Sequence, residues 1–135
     1  MTKDITFNVA DFVAEITLNR PQKHNAVTPD MAQALQDFCA TIDHDDSIRV
    51  VLLKGAGERA FCTGGDVKEY DEAYTNRPRD YWKYMGLFRA WIESLVNAGK
   101  PVIARINGMA AGGGNESQLA CDLAVMAEHA WLRQV

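Results

Sequence analysis

The chain has 135 residues, 47% hydrophobic and 24% charged, with 14 basic against 18 acidic residues and a net charge of −4. That is globular composition with enough apolar residues for one ordinary core. It excludes a basic nucleic-acid-binding surface and contains no run long and apolar enough to span a bilayer. The three cysteines, Cys39, Cys62 and Cys121, are odd in number and far apart. They suggest neither a disulfide framework nor a zinc site, and a reducing cytoplasm is the expected setting. The opening "MTKDITFNVADF" lacks the apolar core of a signal peptide.

Residues 5–9 and 12–18 read as two short strands around a turn at Asp11, the second alternating Phe12, Ala14, Ile16 and Leu18 against polar neighbours. The polar loop "NRPQKHNAVTPD" ends in a helix start, with Thr28 as N-cap and Pro29 in the first turn. Met31, Leu35, Phe38 and Ile42 then mark one helical face to about His44. "IRVVLLKG" predicts a strand buried on both faces, and "GAGERAFCTGGD" a glycine-rich loop. A short helical segment follows over Val67 to Tyr74. A long helix runs from Arg79 to Asn97, with Tyr81, Met85, Phe88, Trp91, Ile92 and Leu95 at helical spacing and stop signals at Gly99 and Pro101. "PVIARIN" is a strand, "NESQLACD" a short helix, and "LAVMA" and "AWLRQV" further strands. Strands alternating with helices predict an α/β protein with largely parallel pairing. The last run stops without a turn or cap, as if the chain were cut there.

Three glycine-rich stretches are candidates for chemistry. "VVLLKGAGERA" matches the dinucleotide pattern G-x-G-x-x-A, but no helix opens at its glycines, so a strand-to-loop turn is the better reading. "FCTGGD" ends in Asp66, which suits a helix N-cap. Its glycines Gly64 and Gly65 could also let backbone amides approach an anion. In "AAGGGNE" the glycines form a tight turn into a helix, with Glu116 in the first turn; the functional alternative is free amides facing an oxyanion, with Glu116 as acid or base. Two such loops could each lend one amide to a single carbonyl oxygen. His24 lies in a polar loop and could assist a ligand, though an exposed loop histidine is more often inert. His44 amid "DHDD" reads as solvated, and His129 lacks a partner histidine at ligand spacing. Cys62 could be a thiol nucleophile but reads better as a small buried filler, and the aromatic residues from Tyr81 to Trp91 read as packing.

"LNRPQKHNAVTPDM", "FCTGGDVKEY" and "INGMAAGGGNESQLACDLAVM", in that order, resemble the crotonase superfamily, the enoyl-CoA hydratase/isomerase family. The resemblance runs from about Ile5 to the end. It implies a ββα spiral, truncated after about half of the usual family length, with residues 1–135 as its N-terminal core. It also implies an acyl-CoA thioester as substrate, no separate cofactor, no metal, and a homo-oligomer, trimeric or hexameric in the family. By motif, the amides of Gly65 and Gly113 would form the oxyanion hole for a thioester enolate. Glu116 would handle the water or proton, its proton affinity tuned by burial. His24 and Ala26 would contact coenzyme A through their backbone, beside Asp66, Val67 and Lys68, with Lys23 nearby. Hydratases usually carry alanine where Gly65 stands. Here "TGGD" is closer to dihydroxynaphthoyl-CoA synthases and to ring-opening oxo-cyclohexene-carbonyl-CoA hydrolases, which share "FCTGG" followed by "KEY". Those synthases lack a glutamate at the position of Glu116, so Glu116 points to water chemistry, in a hydratase or a hydrolase. The second carboxylate of hydratases would fall just beyond Val135, which leaves a non-catalytic coenzyme A-binding module as a further alternative.

Overall fold

The chain begins with an antiparallel hairpin of β1 (Ile5–Ala10) and β2 (Val13–Leu18). Its two connecting residues, Asp11 and Phe12, both have positive φ, at 50° and 67°. That is the primed turn geometry whose twist matches a hairpin. In this computed structural model, which describes residues 2–135, the guanidinium of Arg49 lies 4.5 Å over the Phe12 ring. The Arg49 N–H also donates to the Phe12 carbonyl at 2.8 Å. Together these contacts brace a left-handed conformation that a bulky residue seldom adopts.

Helix α1 (Pro29–His44) starts as its sequence predicts. The Thr28 side-chain oxygen accepts from the Met31 N–H at 3.3 Å, and Met31, Leu35, Phe38 and Ile42 are buried. Beyond it the chain alternates between two sheets. Strands β3 (Val50–Gly55), β5 (Val102–Ile106) and β7 (Leu123–Met126) extend β2 in parallel, in the order β1-β2-β3-β5-β7. The shorter β4 (Ala60–Cys62), β6 (Met109–Ala111) and β8 (Leu132–Arg133) form a second parallel sheet in the order β4-β6-β8.

Each turn lays one strand in the large sheet and one in the small sheet. A helical return follows β4, through α2 (Val67–Glu69), a π-helical turn at Tyr70–Tyr74 and α3 (Pro78–Val96). The return from β6 is α4 (Gly113–Leu119). Val27 bridges Gly65 in parallel, so the loop before α1 lies beside the end of β4. This is the ββα spiral implied by the sequence motifs.

Two asparagines, Asn25 buried and Asn107 half-buried, tie the turns together. Asn25 donates to the Ala56 and Ala60 carbonyls at 3.1 and 2.8 Å and accepts from the Arg20 N–H. Asn107 donates to Gly57 and Ala60 at 2.7 and 3.0 Å and accepts from the Gly55 N–H. The buried Ala60 carbonyl is thereby satisfied twice, by Asn25 and by Asn107.

Three expectations change. The stretches read as continuous loops hide β4 and β6, because three-residue strands flanked by glycines carry no periodicity. β3 alternates buried and half-buried residues instead of being buried on both faces. Its other face, with Val50, Leu52 and Lys54, is half-buried. In α3 the buried stripe is Tyr84, Phe88, Trp91 and Leu95, whereas Tyr81 and Met85 are exposed. α1 and α4 meet α3 on the Tyr84 side, and that choice of face is a tertiary one.

Candidate active site

The two glycine loops meet where the small-sheet strands end. Gly64 has φ +83° and Gly112 φ +52°, backbone states that fit glycine and little else. The loops also touch: a Cβ on Gly64 would lie 2.8 Å from the Gly113 nitrogen, and one on Gly114 would overlap the Cys62 carbonyl. The three consecutive glycines are therefore a packing requirement between adjacent backbones, as well as a turn.

This contact leaves two amides in the same neighbourhood. The Val27 N–H donates to the Gly64 carbonyl at 2.8 Å, which spares the Gly65 N–H from the bridge. The Gly113 N–H stands in the first turn of α4, where no intrahelical acceptor exists. Among the described residues neither amide donates to any acceptor. α4 is anchored from behind. The Trp91 Nε1–H donates to Ser117 Oγ at 2.9 Å, and Ser117 Oγ–H donates to the Gly113 carbonyl at 2.7 Å.

Glu116 lies one turn along α4, its N–H bonded to the Gly112 carbonyl. A run of amide side chains ends on it. Gln118 donates to Asn115 Oδ1 at 3.0 Å, Asn115 to Gln134 Oε1 at 3.0 Å, and Gln134 to Glu116 Oε1 at 2.9 Å. The expected burial of Glu116 is not observed: the residue is exposed. Among the described residues its carboxylate is held by Gln134.

Of the remaining predicted residues, Lys23, Asp66 and Lys68 share a groove beside the Gly65 loop, whereas His24, Ala26 and Val67 do not line it. Arg20, Lys23, Thr28, Asp66, Lys68 and Glu69 line a shallow charged groove. Asp66 caps α2, accepting from the Lys68 and Glu69 N–H groups, and faces Arg20 at 3.4 Å. Lys68 is exposed and pairs with Glu72 at 3.5 Å, and Val67 is also exposed. The His24 carbonyl faces Thr63 Oγ1 at 3.4 Å. Ala26 is buried, with its N–H and C=O already engaged by Lys23 and Arg20. His44 and His129 bond backbone carbonyls away from these loops. No helix opens at Gly57, so the dinucleotide pattern at the end of β3 is a strand-to-strand turn. Cys62 is fully buried, and burial pushes its thiol up to about 12, as befits a filler.

Sequence reading quoted Tyr70 within the shared "KEY" without giving it a role and grouped Tyr84 with the packing residues. A Cβ on Gly65 would overlap the Tyr70 hydroxyl and lie 3.0 Å from that of Tyr84. Tyr84 is buried and its O–H donates to the Val27 carbonyl at 3.1 Å. Burial raises both phenols above their ordinary value, so both stay protonated donors at neutral pH. The available signal was the coincidence of a glycine at 65 with a tyrosine five residues later.

Residues 8–134 match the family described as Enoyl-CoA hydratase/isomerase. The chain is 40% identical over 112 residues to a 6-oxocyclohex-1-ene-1-carbonyl-CoA hydrolase of Geobacter metallireducens, covering 83% of this chain and 29% of that protein. It is 38% identical over 130 residues to an (E)-benzylidenesuccinyl-CoA hydratase of Thauera aromatica, covering 93% and 48%. Among solved structures, an enoyl-CoA hydratase from Bacillus anthracis superposes with a TM-score of 0.91 at 36% identity, covering 98% of this chain and 50% of that one. The chain thus spans between about a third and a half of the proteins it is compared with.

Proposed function

Because this chain belongs to the enoyl-CoA hydratase/isomerase family, we propose that it binds an acyl-CoA thioester and carries the oxyanion half of a hydratase-type site. The observation that supports this most directly is the backbone contact between Gly64 and Gly113, which joins the two loops whose Gly65 and Gly113 amides have no acceptor among the described residues. A thioester oxygen placed between them would gain negative charge as the enolate forms. Fixed amides stabilise such charge without reorganising, and loss of one donor of this kind typically costs about 3 kcal/mol in the transition state. Glu116 is assigned the proton or water step, held by Gln134. The groove that holds Lys23 and Lys68, beside Arg20 paired to Asp66, is assigned to the phosphates of coenzyme A; exposed lysines on flexible stems can turn from their carboxylate neighbours to an anionic ligand. A cytoplasmic setting and a homo-oligomer belong to the same proposal.

A second reading is a ring-opening hydrolase acting on a 6-oxocyclohexene-type thioester. It is favoured by the hydrolase relatives and by glycine at position 65. Both readings share the amide pair and Glu116 and differ in the acyl group.

Calorimetric titration of the purified chain with crotonyl-CoA tests the binding half, and a flat titration rejects it. For the chemical half, loss of the enoyl absorbance is followed for the chain and for Glu116→Gln. The expected outcome is a fall of at least about 100-fold in hydration rate for the variant, the scale of a positioned acid/base. Equal rates would remove Glu116 from its role, and binding without turnover in the unaltered chain would leave a coenzyme A-binding module.

A further inference from the structure

The space beside the Gly65 amide belongs to a phenol. The Tyr70 hydroxyl stands where a Cβ of residue 65 would be, so glycine at this position and tyrosine at 70 are one structural choice. Tyr70 opens the π-helical turn Tyr70–Tyr74, an irregularity that re-aims side chains and recurs at functional sites. Its ring is held edge-on by Tyr84 at 5.1 Å and by Tyr81 at 5.9 Å. Tyr84 donates to the Val27 carbonyl, and its hydroxyl also faces the Tyr70 oxygen as a donor, so it does not take the Tyr70 proton. The Tyr70 O–H has no such backbone acceptor among the described residues, and Tyr70 is only half-buried. A neutral donor therefore sits rigidly against the Cα of a residue whose N–H is itself free.

Building on the acyl-CoA reading, we propose that Tyr70 is a specificity-determining residue whose hydroxyl donates a hydrogen bond to an oxygen on the β-carbon of the acyl group, selecting β-oxo thioesters over plain acyl thioesters. In a β-oxo thioester the two carbonyl groups flank a single carbon and can turn to the same side. The Gly65 amide would meet one oxygen while Tyr70 meets the other. A site built to hydrogen-bond a substrate oxygen discriminates against the analogue lacking it, because the phenol is then left facing an apolar group.

The test is calorimetry on the full chain with acetoacetyl-CoA and butyryl-CoA, before and after Tyr70→Phe. The unaltered chain is expected to prefer acetoacetyl-CoA. Tyr70→Phe should reduce the ratio of the two affinities by roughly five- to tenfold, the size of one hydrogen bond. Tyr70→Met, which fills similar space without a hydroxyl, should reduce the ratio likewise and serves if the phenylalanine variant fails to fold. An unchanged ratio in a folded variant overturns the inference, as does an unaltered chain that binds both thioesters equally. Absence of binding of either thioester by the unaltered chain instead rejects the acyl-CoA reading, and this inference falls with it.

Discussion

Cys62 sits beneath the second glycine loop, its sulfur 3.4 Å from the Gly64 nitrogen, and burial pushes its thiol up to about 12. Burial raises Cys39 to about 11 and Cys121 to about 12. An exposed thiol of the unfolded chain ionises near 9.0. Between that value and about 11 to 12 the folded chain therefore holds more protons than the unfolded one. Stability then falls as pH rises through this window, and these groups leave it unchanged below it. The thermal midpoint, followed from about pH 8 to about pH 11, should fall steadily once past about pH 9, and less steeply in Cys62→Ala. A flat profile across that range would contradict the burial of these thiols. The sequence reading took Cys62 for a filler, and the structure agrees. It took Glu116 for a buried group, and the structure does not: burial depends on what packs over a carboxylate, which no local pattern records.

At the scale of elements, α4 is too short to hold itself in place. Seven residues beginning with two glycines form a marginal helix in isolation. It is fixed from α3, through Trp91 Nε1–H to Ser117 Oγ and from there to the Gly113 carbonyl. Trp91 is fully buried, so Trp91→Phe removes a hydrogen bond as well as volume. A loss of about 1–3 kcal/mol is expected in urea unfolding, with weaker acyl-CoA binding because the Gly113 amide loses its support. Ser117→Ala should reproduce the binding defect at smaller cost in stability; an unaffected affinity in both variants would show that α4 needs no anchor. The helices α1 and α3 were legible because capping residues and apolar spacing act locally. β4 and β6 were not, because they are strands only by virtue of their parallel partners.

At the scale of the sheets, β7 pairs with β5 alone among the described residues. Leu123 and Val125 on this edge strand are 63% and 65% exposed. An apolar strand edge with free backbone groups favours pairing with another chain. Sedimentation velocity should show association that grows with concentration, and Val125→Lys should shift the chain toward monomer. A monomer at all concentrations would remove the edge from any account of the proposed homo-oligomer.

The sequence by itself determined the hairpin, the two long helices, the alternation of strands and helices, and the glycine and acidic residues of the candidate site. Each of these rests on interactions a few residues apart, in caps, turns and periodic apolar faces. Only the tertiary structure decided the second sheet, the face that α3 buries, the exposure of Glu116 and the partnership of Gly65 with Tyr70. Those depend on which backbones come into contact across turns of the spiral: Gly64 against Gly113, Cys62 against Gly114, and a phenol in the space a side chain at position 65 would have filled.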